Sequence, residues 1–146
     1  MIFQRNSGPK IELYIENSEF ERVENFNFLG LTLNQKLDWI PHLTITAQKA
    51  ACGLGILKRL KSYLPSSTLK TLYYSLVHSH FQYQLLNWGY NCKNLEKLQK
   101  RAIRIMSNDR YLAHSGPILK RYNALRLREL HNLSQIKFYY RHVHYA

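Results

Sequence analysis

The residues best placed to do chemistry in this chain are basic. In the stretch NLEKLQKRAIRIM, residues 94 to 106, helical spacing puts Lys97, Lys100, Arg101 and Arg104 on one side and Leu95, Leu98, Ala102 and Ile105 on the other. The apolar side reads as core. The basic side is either plain solvated charge or a row of phosphate contacts, because cations repeated along a helix match the spacing of a polyanion. Lys58, Arg59 and Lys61 form a second basic group, with Lys61 closer to the apolar stripe of its own segment.

The charge of the whole chain bears on that choice. Lysine and arginine number 21 against 9 acids, a formal net charge of +12 over 146 residues. Residues 1 to 40 hold four bases and six acids, so residues 41 to 146 carry a balance of +14. A segment that basic repels itself or meets a polyanion, and nucleic acid is the commonest. Solubility alone needs far less.

Other chemistry is poorly provided for. Asp38 and Asp109 are the only aspartates and stand far apart, whereas phosphoryl transfer by two metals needs several converging carboxylates. His78 and His80 are two residues apart and diverge on a helix. His142 and His144 lie near the last residue, and Ser115 beside His114 lacks a third group to orient the pair. Gly53 and Gly55 are not followed by the Gly-Lys-Ser/Thr of a phosphate loop. No self-contained active site and no metal ligands are expected. Tyr73, Tyr74 and Tyr83 are candidates for base stacking, but helical spacing assigns Tyr73 and Tyr83 to the core. Trp39 and Trp88 read as core or hinge anchors.

The elements that must carry these residues fall into two kinds. Ile11, Leu13 and Ile15 alternate with polar neighbours, ENSE supplies a turn, and FERV is the expected return strand. FNFLGLTL alternates again, with Gly30 marking a tight bend or a close backbone approach. From about residue 42 the period becomes helical. Leu43, Ala47, Ala50, Leu54, Leu57 and Leu64 form a stripe that Pro65 ends, and Gly53 and Gly55 weaken it. SST is the expected N-cap of the next helix, with its stripe at Leu69, Leu72, Tyr73, Leu76, Val77 and His80 and its end near Leu86. WGYNCKN breaks the pattern before the opening stretch. A helical turn at ILKRYN and a last helix from Leu127 to Arg141 follow.

Cys52 and Cys92, without a CxxC, read as buried free thiols. No apolar run approaches the ~18 residues of a membrane span, and no signal core is present. The expectation is a soluble intracellular protein, nuclear or cytoplasmic, with no membrane partner.

In order along the chain, VENFNFLGLTLNQKLDWIPHL, KAACGLGILKRLKSYLP, LKTLYYSLVHSHFQY, NWG, LEKLQKRAIRIM and HSGPIL resemble the C-terminal part of a reverse transcriptase of the non-LTR (LINE, jockey-like) retrotransposon type. The resemblance spans nearly the whole chain, although no single motif in it is specific. It implies that Phe28, Leu29 and Gly30 match the primer grip at the base of the palm, and that the later helices are a thumb holding primer–template duplex, RNA–DNA or DNA. It also implies a parent RNA-directed DNA polymerase using magnesium. The aromatic-x-Asp-Asp loop that serves that metal is absent here. A fragment lacking fingers and catalytic palm, inactive alone and without a cofactor of its own, is therefore expected. Gln84 stands where the family usually has glycine after the tyrosine matching Tyr83, which is expected to alter a helix end.

The fold expected is α+β: a short N-terminal antiparallel hairpin of two or three strands over residues 1–38, then a mostly helical, thumb-like bundle over 39–146. A stand-alone basic module for nucleic acid or an acidic protein, and a non-functional relic, remain as alternative readings.

Overall fold

Two short antiparallel hairpins precede the helices. The computed structural model describes residues 14–15, 18–19, 23–107, 109 and 113–144. Strand β1 (Tyr14–Ile15) pairs with β2 (Ser18–Glu19), Ile15 opposite Ser18. The return strand thus starts inside the expected ENSE turn, ahead of FERV. Val23 lies in no strand, and Ile11, Leu13 and Phe20–Arg22 fall outside the described residues.

Strands β3 (Asn25–Phe28) and β4 (Leu31–Asn34) are joined by Leu29 and Gly30 alone. Both turn residues take positive φ, 46° and 78°. That pair of left-handed residues matches the right-handed twist of the strands it joins. Gly30 therefore marks a bend, and leucine is strained beside it. Register puts Phe26 opposite Leu33 and Phe28 opposite Leu31 on one face. On the other face Thr32 Oγ1 donates to Asn27 Oδ1 at 2.8 Å.

Helix α1 (Ile40–Leu60) has its start fixed by Asp38. Asp38 Oδ1 accepts from Ile40 N at 3.0 Å and from Asn34 Nδ2 at 2.8 Å, the way a short carboxylate caps a helix. Thr32 N donates to His42 Nδ1 at 3.4 Å. The division into two compact units accordingly falls after His42, giving Met1–His42 and Leu43–Ala146, and not after Asp38. The buried face of α1 is His42, Thr46, Ala50, Leu54 and Leu57, while Leu43 and Ala47 are only half-buried. The helix stops at Leu60, before Leu64, where a turn brings Leu64 N to Leu60 O at 3.1 Å.

Pro65, in extended conformation, occupies the N-cap position of α2 (Ser66–Tyr73), so the expected Ser/Thr cap is not formed. One π-helical turn, Tyr74–His78, then leads into α3 (Ser79–Gln82). Such a turn inserts one extra residue. The buried face therefore slips from the expected Leu76, Val77 and His80 to Val77, His78 and Phe81. Gln84, at φ 51°, breaks the helix where the departure from glycine was noted. Helix α4 (Leu85–Trp88) runs on into a 3₁₀ turn, Gly89–Asn91.

Helices α5 (Lys93–Met106), α6 (Ser115–Arg121) and α7 (Leu127–His144) complete the second unit. Its core gathers Leu57, Leu69, Tyr73, Val77, Phe81, Leu85, Trp88, Leu95, Ile103, Met106 and Leu127. Trp88 is fully buried and donates Nε1–H to Tyr83 O at 3.0 Å. Two glycines permit close approaches. A Cβ on Gly53 of α1 would lie 2.5 Å from Leu76 O, and one on Gly89 would lie 2.5 Å from the His131 ring of α7. Gly53 is thus a packing requirement, whereas Gly55 meets nothing within 4 Å. Cys92 is buried and Cys52, against expectation, is exposed; both thiols are free. Among the described residues no helix is long and apolar enough to cross a membrane.

Candidate nucleic-acid interface

Helix α5 is held from its inner side. Leu95, Gln99, Ala102, Ile103 and Met106 are buried, a stripe turned about 60° from the expected Leu95, Leu98, Ala102 and Ile105 at 100° per residue. The reason is Gln99. Its Nε2 donates to Leu125 O and its Oε1 accepts from Leu127 N, both at 3.0 Å. These bonds satisfy a carbonyl and the first N–H of α7, so a polar side chain takes a core position that an apolar pattern assigns outward. Leu98 and Ile105 are left half-buried.

Fixing that side presents the other. Lys93, Lys97, Lys100 and Arg101 are exposed, spaced i, i+4, i+7 and i+8, nearly opposite the buried stripe. Lys93 was missed because it lies within the WGYNCKN break, although its i−4 relation to Lys97 was legible. The ion pairs among the described residues are Arg121–Asp109 at 3.7 Å and Arg126–Glu129 at 3.9 Å, and neither uses a base of α5.

Arg104 has other work. Its Nε donates to Ala113 O at 2.7 Å and its side chain is half-buried. It ties the end of α5 to the approach to α6. Of the second group, Lys58 and Arg59 are exposed in the last turn of α1, where cations suit the helix dipole. Lys61 is half-buried just past that turn. Phe28, Leu29 and Gly30 form an exposed hairpin tip in the first unit, and Leu29 is 71% exposed.

The aromatic residues divide unevenly. Tyr73 is buried and 3.3 Å from His78 Nδ1 through its hydroxyl. Burial, the largest cause, pushes the Tyr73 phenol up to about 12 and holds the His78 imidazole below its usual range. Tyr83, expected in the core, is exposed, because the backbone turns extended there before left-handed Gln84. Trp39 is half-buried, edge-on to His42.

Asp38 is engaged by Asn34 and the start of α1, Asp109 by Arg121, and among the described residues no three His, Cys, Asp or Glu side chains cluster as metal ligands. Among the described residues the arrangement provides charge and shape. No family model, curated protein or solved structure matches the chain.

Proposed function

We propose that this chain grips a primer–template duplex without sequence preference, as the primer-grip and thumb portion of a reverse transcriptase of the non-LTR retrotransposon type. The observation that carries the reading is the outer face of α5: Lys93, Lys97, Lys100 and Arg101 exposed in line on a helix whose inner face is locked. A row of exposed cations suits phosphates, and contacts to phosphate carry no sequence information. The exposed apolar tip of Phe26, Phe28 and Leu29 supports the same reading, being the surface a missing palm would cover.

The test is binding of the full chain to an RNA–DNA hybrid and to DNA duplexes of two unrelated sequences over a salt series. Four phosphate contacts give a log–log slope of about −3 to −4, equal for both sequences. The combined Lys93→Ala, Lys97→Ala, Lys100→Ala, Arg101→Ala variant should lose most of that slope. An unchanged slope in the variant, or a strong sequence preference, refutes the proposal.

A stand-alone basic binding module is favoured by one observation, the core that Leu43–Ala146 closes around Trp88. Sedimentation separates the two readings. A thumb without its palm self-associates until Phe28→Ser and Leu29→Ser relieve it, whereas a stand-alone module is monodisperse from the start.

A further inference from the structure

The exposed row on α5 does not stop at Lys93. The 3₁₀ turn before it, Gly89–Asn91, carries Tyr90, 63% exposed. Side chains three apart eclipse in 3₁₀ geometry. Gly89 and Cys92 accordingly share the buried side, and Tyr90 and Lys93, the residue after each, share the exposed one. Tyr90 thus extends the row of Lys93, Lys97, Lys100 and Arg101 by one place at its N-terminal end. Its backbone is pinned on both sides. Trp88 is fully buried, a Cβ on Gly89 would lie 2.5 Å from the His131 ring, and Cys92 O accepts from Glu96 N at 2.9 Å. The ring is therefore held outward, and among the described residues it has no hydrogen-bond or ring partner.

Distance along the helix limits what such a ring can reach. From Lys93 to Arg101 the row covers about 12 Å of helix axis, the reach of about three to four phosphates along one strand. Tyr90 stands about 5 Å further on, or about one to two nucleotides past the last of those phosphates. Inside a duplex both faces of every base are already covered by its neighbours. A ring at that place gains a partner only where a base is unpaired, and stacking there is indifferent to which base it is. Resting on the duplex grip already put forward for α5, we propose that Tyr90 stacks on the first unpaired nucleotide beyond the duplex. This face then takes the junction of a duplex with a single strand, and the ring fixes where along the strands the row of cations sits. Tyr63 and Tyr139 are as exposed but lie on other elements, off this row.

The experiment measures binding of the full chain, by fluorescence anisotropy at one salt concentration, to a labelled blunt duplex and to the same duplex with a short unpaired overhang at the 3′ or the 5′ end. An overhang at one of these ends tightens binding about fivefold or more. Tyr90→Ala brings that duplex down to the blunt value, whereas Tyr90→Phe keeps the advantage because the ring remains. Tyr139→Ala, at 68% exposure, changes neither. 2-Aminopurine placed as the first unpaired base is quenched by the wild-type chain and by Tyr90→Phe, and not by Tyr90→Ala. The stacking role is overturned if no overhang tightens binding, if Tyr90→Ala weakens blunt and overhung duplexes alike, or if it weakens neither. The duplex grip is judged separately, by the salt slope of the four-base variant on blunt duplex. A slope lost there, with no gain from an overhang, sinks the stacking role and leaves the grip standing.

Discussion

Gln99 and Leu127 are joined across 28 residues by a 3.0 Å bond from the Leu127 N–H to the Gln99 Oε1. The other end of the same amide holds Leu125 O, so one side chain sets where α7 begins relative to α5. Gln99→Leu preserves bulk and removes both bonds together with the longer one its Nε2 donates to the Tyr73 hydroxyl, leaving two backbone groups to find water or go unpaired. The expected loss is about 2–4 kcal/mol in denaturant unfolding. Gln99→Glu keeps the acceptor but sets a carboxylate against the Leu125 carbonyl, and should be the worse of the two at neutral pH.

The glycines of α1 predict opposite signs for one substitution. Gly53→Ala presses a methyl on Leu76 O, where backbone must move, and should destabilise by about 1–3 kcal/mol. Gly55→Ala meets open space and should stabilise by up to about 1 kcal/mol through helix propensity. Thermal melts of the two variants side by side decide it, and a loss at both positions contradicts the packing described.

His78 makes stability fall on the acid side. Burial depresses its folded pKa, so as pH drops the unfolded chain takes up the proton first. Stability from this group is present above its unfolded value, near 6.5, and is lost as pH falls through that value toward the folded one. A His78→Asn variant, which keeps a hydrogen-bonding atom near Tyr73 but does not titrate, should show a flatter unfolding free energy between neutral pH and about pH 5.

Arg104 and Lys97 separate scaffolding from phosphate contact. Arg104→Ala removes the bond to Ala113 O and should lower the melting temperature while changing the salt slope of duplex binding little. Lys97→Ala should leave the melting temperature alone and reduce the slope by about 0.9. The reverse pattern would reassign the two residues.

Helix α5 was the most legible element, because charge and hydropathy alternate there with one period and the right face emerged basic. Its exact stripe was not, since Gln99 enters the core through backbone partners that lie far off in sequence. The long helix from Ser66 was read as continuous because nothing in its composition announces a π turn; Tyr73 and His78 meet only once the extra residue is in place. Gln84 marked its own helix end. Tyr83 defeats the helical spacing because the backbone already turns extended there, one residue before left-handed Gln84. Lys58 and Arg59 lie exposed as expected, whereas Arg104 looked equivalent to its neighbours until Ala113 folded back on it.

The π turn at Tyr74–His78 makes the chain's length a variable under constraint. Between Ser66 and Gln82 it holds one residue more than an uninterrupted α-helix of the same rise. Removing any one residue from those five would leave a regular ladder of hydrogen bonds, yet would rotate everything after it by about 100° relative to Tyr73. Phe81 would leave the interior with every side chain otherwise intact. Tolerance to substitution and tolerance to deletion therefore part company here: this turn can accept a changed residue more readily than a missing one.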